Sequence, residues 1–271
     1  MRIPPRLMAA VITAFDENGE IDEAGHRHNV RTLHDRDLDG LVLAGSTGEG
    51  PYLEDGEREA LTLATRDELG RDFFIVCGIN AESVRQARKQ ISEAVTGGAD
   101  AILVMTPTTL IRNRATPMVR FYTVLADESP LPMFIYSVPV VTAYELPFDI
   151  VVELAQHPNI VGVKDSGGEA DRIGAIAEAT DRDFFVFCGA SRAVLSAVAG
   201  GAHGAITASA NYASHLVAAA IAGDETAQRE LASVSSEVEA LGVPGTKAAA
   251  ERSGLVGGRP RLPLGSVNSS M

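Results

Sequence analysis

Lysine is scarce in this 271-residue chain: Lys89, Lys164 and Lys247 stand against twenty arginines. Arginine carries surface charge equally well, but its guanidinium cannot serve as an amine nucleophile, so the place of each lysine matters. Cysteine is rarer still. Cys77 and Cys188 each close a short apolar run and read as two small core side chains rather than a disulfide. No stretch of ~20 apolar residues occurs, and Met1-Arg2-Ile3-Pro4-Pro5 leads into no long apolar segment. Neither a membrane span nor a secretory leader is therefore predicted, and the protein is expected in the cytoplasm. Basic stripes are absent and the net charge is −13, which argues against a nucleic-acid surface. The six histidines show no H-x-x-x-H spacing, so no metal is predicted. No G-x-G-x-x-G follows the first apolar run, which counts against a doubly wound dinucleotide-binding sheet.

What is present is a regular beat. Short apolar runs begin near Met8, Leu41, Phe73, Ala101, Met133, Ile160, Phe184 and Ala205, about 20 to 33 residues apart. They do not alternate polar with apolar, as expected of parallel strands buried on both faces. Helical patterns fill the gaps. Val84, Ala87, Ile91, Ala94 and Val95 share one predicted face, and another helix is predicted to open at Pro147 and stop before Pro158. Eight such units predict a (β/α)8 barrel over residues 1–222. Residues 223–271 read as an extension of the same domain, helical to about Leu241 and then a Gly/Pro-rich tail. One echo, Asp72-Phe73-Phe74 through Gly78 against Asp183-Phe184-Phe185 through Gly189, carries little weight.

In a barrel the chemistry belongs at the carboxyl ends of strands. Lys164 ends the run Ile160-Val161-Gly162-Val163, where a lysine is costly unless paired or used. The blander reading is an ion pair with Asp165. Tyr136 ends the preceding run, about one strand spacing (~5 Å) away, close enough to shuttle protons for an imine on Lys164; otherwise it is a core phenol. The loop Ala44-Gly45-Ser46-Thr47-Gly48-Glu49-Gly50 lets backbone N–H groups and two hydroxyls approach a carboxylate, though a plain turn has the same composition.

Together, these motifs resemble the pyruvate-dependent class I aldolase and lyase family that includes dihydrodipicolinate synthase and N-acetylneuraminate lyase. The resemblance is carried by Gly45-Ser46-Thr47-Gly48-Glu49, Tyr136-Ser137-Val138-Pro139 and Gly162-Val163-Lys164-Asp165-Ser166-Gly167. Gly204-Ala205-Ile206 and the tail segments Val243-Pro244-Gly245-Thr246-Lys247 and Arg261-Leu262-Pro263-Leu264 extend it over nearly the whole chain. The stretch from Tyr136 through Gly168 looks most like the 4-hydroxy-2-oxoglutarate aldolase branch. The resemblance implies Lys164 as the Schiff-base lysine and Tyr136 as the proton shuttle. Ser46 and Thr47 would hold the pyruvyl carboxylate, with the Ile206 carbonyl nearby and Ser166 on the substrate side. It implies no cofactor, a 2-oxo acid such as pyruvate as substrate, and a homotetramer built as a dimer of dimers.

Two places depart from the family pattern. Val141 stands where dihydrodipicolinate synthases carry an arginine for the second substrate, so Arg112 or Arg114 is the expected cation for a distal carboxylate. Thr106-Pro107 is followed by Thr108-Thr109-Leu110 rather than a tyrosine pair, which implies an altered proton relay. Other readings remain open. They are a dihydrodipicolinate synthase-like or dehydratase reaction on the same imine, a barrel that binds 2-oxo acids without turnover, and a phosphosugar aldolase using Gly189-Ala190-Ser191-Arg192 and Ser209.

Overall fold

A computed structural model describes residues 2–36, 38–181 and 183–267. The strands are β1 (Leu7–Ala10), β2 (Gly40–Leu43), β3 (Phe74–Ile79), β4 (Ala101–Met105), β5 (Met133–Ser137), β6 (Ile160–Asp165), β7 (Phe185–Cys188) and β8 (Gly204–Thr207). They close in chain order into a parallel barrel, β8 pairing back onto β1. At least one helix lies in every crossover, so the predicted (β/α)8 barrel is the observed fold. No helix among the described residues is long and apolar enough to cross a membrane.

Local signals start several of these helices. Asp22 accepts from the Gly25 N–H, Ser83 from Gln86, and Asp224 from Thr226 and Ala227, each satisfying donors that a helix start leaves open. In the helix Val84–Thr96 the buried arc contains Ala87, Gln90, Ile91, Glu93 and Ala94. Val95, predicted on that face, is 40% exposed; it lies at the edge of the arc and borders a groove with Leu125 and Glu128 of the next helix. The helix expected from Pro147 begins instead at Phe148, Pro147 serving as its cap with ψ 143°.

A larger correction concerns the tail. Gly242, Pro244 and Gly245, expected to be irregular, lie in a helix, Gly242–Arg252. Proline is tolerated in a first turn because its missing N–H has no intrahelical partner there. Gly245 permits close packing, since a Cβ would sit 2.5 Å from the Val238 carbonyl oxygen. The helices Glu225–Ala240 and Gly242–Arg252 both lie against Ala210–Ile221.

The barrel interior is filled by Met8, Val42, Phe74, Leu103, Phe134 and Phe187, while a second cluster fills the space between strands and helices. Phe134 and Phe187 meet edge to face with centroids 5.9 Å apart. Gly162 makes room for them, because a Cβ there would fall 2.8 Å from the Phe134 ring. Cys77 and Cys188 are free and buried, and burial pushes both thiols up to about 11, consistent with packing rather than reactive roles.

Register positions the chemistry. β5 and β6 start with Met133 opposite Ile160, but a one-residue shift follows, so Phe134 faces Gly162 and Tyr136 faces Lys164. Without the extra residue Tyr136 would face Val163, whose side chain packs outside the barrel.

Candidate active site

A cavity of about 670 Å³ opens at the carboxyl ends of the strands. Ser46, Thr47, Tyr136, Lys164 and Ser166 all line it. Ile206 does not; it is buried in the barrel interior, and Ala208 forms the wall beyond this strand.

Lys164 is 4% exposed. It lies within β6 rather than beyond it, and its Nζ sits 4.4 Å from the centroid of the Tyr136 ring. The blander reading of Lys164 fails on geometry. Adjacent strand residues point to opposite faces, and Asp165 accepts from Arg172 Nε at 3.0 Å and from the Gly167 N–H at 2.9 Å. Of the other lysines, Lys89 pairs with Asp55 on the surface and Lys247 with Glu49 in the interior. Lys164 alone forms no ion pair among the described residues.

Tyr136 Oη and Ser46 Oγ are 3.1 Å apart, joining the end of β5 to the loop after β2. That loop is held in shape by backbone sterics. Gly50 passes so close to the Ala44 carbonyl that a Cβ would lie 2.0 Å from its oxygen. Asn80 Nδ2 donates to the Ala44 oxygen at 2.7 Å, and Thr13 Oγ1 donates to Gly48 at 2.7 Å. Ser166 offers a buried hydroxyl without a protein partner among the described residues. Gly189 leaves the space over it open; a Cβ there would stand 2.0 Å from Ser166 Oγ and 3.0 Å from Lys164 Cε.

The sequence motifs did not reveal how the loop is anchored. Glu49, in a left-handed conformation with φ 56°, is buried and accepts from Lys247 Nζ at 2.5 Å and from the Arg261 N–H at 2.7 Å. Burial pulls the Lys247 ammonium below the ordinary lysine range, opposed by its bond to Glu49. Lys247 Nζ also donates to the Arg259 carbonyl at 2.9 Å, and both Lys247 and Arg261 stack on Phe15. Arg261 in turn grips both carboxylate oxygens of Glu57. The extension therefore clamps the loop, and Glu239, Val243, Thr246 and Leu264 complete the cavity wall.

Arg112 and Arg114 are exposed and do not line the cavity, so the expected distal cation is not there. Val141 does line it, half-exposed, and leaves strand five without a cation. Nor do Ser191 and Ser209 form a phosphate site. Both are buried, bonded to each other at 2.9 Å, with Ser191 donating to the Glu239 carboxylate at 2.6 Å. A carboxylate at that point repels phosphate.

The arrangement combines an unpaired amine, a phenol and several hydroxyls in one recess, which suits nucleophilic attack on a carbonyl with local proton transfer. Comparison with known proteins agrees. The profile of the Dihydrodipicolinate synthetase family matches residues 4–271. The 4-hydroxy-tetrahydrodipicolinate synthase of Methanospirillum hungatei is 35% identical over 268 residues, covering 94% of this chain and 91% of that protein. The crystal structure of a dihydrodipicolinate synthase from Bacillus anthracis superposes with a TM-score of 0.89 at 28% identity, covering 99% of this chain and 95% of the other. The Acinetobacter baumannii synthase, solved in complex with pyruvate, gives 0.87 at 28% identity, with 97% and 93% coverage.

Proposed function

The chain belongs to the dihydrodipicolinate synthetase family and is a class I pyruvate-dependent enzyme working through a lysine Schiff base; on that premise we propose that Lys164 is the imine-forming lysine, and that the enzyme cleaves or forms a 4-hydroxy-2-oxo acid. The observation that carries this reading is the buried Lys164 amine, free of any carboxylate among the described residues and packed on Tyr136.

The Lys164 lone pair attacks the C2 ketone, and the carbinolamine loses water to give an iminium ion. Electrons of the C3–C4 bond flow into that iminium while Tyr136 takes the 4-hydroxyl proton, releasing an aldehyde and leaving an enamine. Protonation at C3 and attack by water then return pyruvate and the free amine. Ser46 and Thr47 hold the pyruvyl carboxylate, and Ser166 supplies a hydroxyl toward the departing half. The finer reading, cleavage of 4-hydroxy-2-oxoglutarate to pyruvate and glyoxylate, is supported by Val141 at the place of the synthase arginine. A second reading, formation of 4-hydroxy-tetrahydrodipicolinate, is favoured by the name of the Methanospirillum relative.

Incubation with pyruvate and borohydride, followed by intact-mass measurement and peptide mapping, tests the core of the reading. One adduct is expected, on the Gly162–Asp165 segment, and Lys164→Ala should abolish it. An adduct on Lys89 or Lys247 overturns the mechanism. Pyruvate release from 4-hydroxy-2-oxoglutarate decides the finer reading; no release, with consumption of pyruvate alongside an amino-acid semialdehyde, transfers it to the second.

A further inference from the structure

We propose that Arg192 is the specificity-determining cation of this cavity, holding a second carboxylate at the far end of a 2-oxo diacid whose ketone is at Lys164. The inference rests on the lysine-imine reading and names the substrate class it serves.

Arg192 lies in the short turn Ser191–Ala193 after β7, the strand next to β6, and it lines the same cavity as Lys164. Its guanidinium lies against the backbone that follows Ser166. The NH2 group donates to the Gly167 carbonyl at 2.8 Å. Gly168, at φ 82°, has no side chain to interfere; a Cβ there would fall 2.2 Å from that nitrogen. One bond therefore fixes the group in place, and the rest of its planar donor fork remains available.

Competing partners are weak. The nearest carboxylate, Glu169, is 3.9 Å away and 75% exposed, while the Arg192 side chain is itself 55% exposed. Exposed pairs of this kind contribute little. The remaining charges on the wall are committed or of the wrong sign. Glu49 is neutralised by Lys247, and Glu239, which accepts from Ser191, repels an anion from the side of the C-terminal helices. Strand five and the turn after it contribute Tyr136, Val138, Pro139, Val140 and Val141, none of them a cation. Among the described residues that line the cavity, Arg192 is thus the cation other than Lys164. The chain has a net charge of −13, so a doubly anionic substrate meets an unfavourable overall field and depends on a local cation.

The test reads imine capture and needs no turnover. The full chain and its Arg192→Ala and Arg192→Lys variants are titrated with 2-oxoglutarate and with 2-oxopentanoate, whose tail is neutral, in the presence of borohydride. In the parent, 2-oxoglutarate should reach half-maximal trapping at a concentration at least about tenfold below that of 2-oxopentanoate, the scale of a charge-assisted contact. Arg192→Ala should erase that ratio, and Arg192→Lys should restore part of it, because lysine keeps the charge but loses the fork. Equal weakening toward both acids, or an unchanged ratio, overturns the assignment. A parent that traps pyruvate but shows no preference for the diacid refutes the role of Arg192 alone. A parent that traps no 2-oxo acid at all refutes the imine reading, and this inference with it.

Discussion

At the scale of single residues, the pair Tyr136 and Lys164 separates packing from chemistry. The Tyr136 ring covers the amine, while its hydroxyl reaches Ser46. Tyr136→Phe keeps the ring and removes only the hydroxyl, so it should fold with unchanged thermal stability to within about 1 kcal/mol. Turnover should fall by about 10²-fold or more, the usual scale for a general acid–base group, measured as pyruvate release. Unchanged kinetics would leave Tyr136 as a core side chain. Both residues were legible in the sequence: a lysine ending a run of Val and Ile is expensive unless it is used, and Tyr136 ends the run one strand before it. Arg192 is visible there only as part of a possible phosphate loop, Gly189-Ala190-Ser191-Arg192, and not as a partner for a distal carboxylate. One arginine among twenty carries no such cost signal, and its role depends on the bare backbone of Gly168 and on a neighbouring strand.

At the scale of elements, the decisive contact joins the loop after β2 to the helix Gly242–Arg252. Glu49 and Lys247 are almost completely inaccessible, with side-chain exposures of 0% and 3%. Removing one partner of such a pair strands the other charge in the interior, at a cost of about 3–5 kcal/mol. Lys247→Met should therefore lower the free energy of unfolding in urea by about 3 kcal/mol and raise the pyruvate concentration needed for half-maximal imine trapping. The double variant Glu49→Gln with Lys247→Met should recover much of the stability. Additive losses would mean that the two side chains do not act as a pair. Periodicity located the elements, but it gave the tail helix as irregular chain. Glycine and proline read as breakers in isolation, whereas here one fits a first turn and another permits close packing.

At the scale of the whole molecule, stability should depend on pH through His26, which joins the helix Glu23–His34 to Glu57–Leu69. Its Nε2 lies 2.8 Å from Thr65 Oγ1 and 3.1 Å from the Leu61 carbonyl oxygen. Burial holds its imidazole at about 4, against an ordinary 6.5. The folded protein thus keeps His26 neutral in a range where the unfolded chain takes up a proton. Stability is fully present above pH 6.5 and declines as pH falls toward 4, by up to about 3 kcal/mol in total. Urea unfolding across that range should show the decline in the parent and a shallower one in His26→Gln. Parallel slopes would assign the effect to other groups. The barrel itself was legible because eight evenly spaced apolar runs without alternation leave few other ways to bury both faces of each strand. That Tyr136 stands one strand from Lys164 was legible too, but the one-residue shift that sets their register was not, since it leaves no mark on composition or spacing.

The clamp on Glu49 also imposes an order of events during synthesis. Glu49 and Lys247 are 198 residues apart in the chain, and Arg261 follows later still. At about 5–20 residues per second a ribosome needs roughly 10–40 s to cover that interval. Throughout it the nascent loop carries an acidic side chain destined for the interior, with no cation yet available to receive it. The loop after β2 can therefore set only after translation has passed residue 261, and a growing chain stays without a finished pocket even when most of its strands have already emerged.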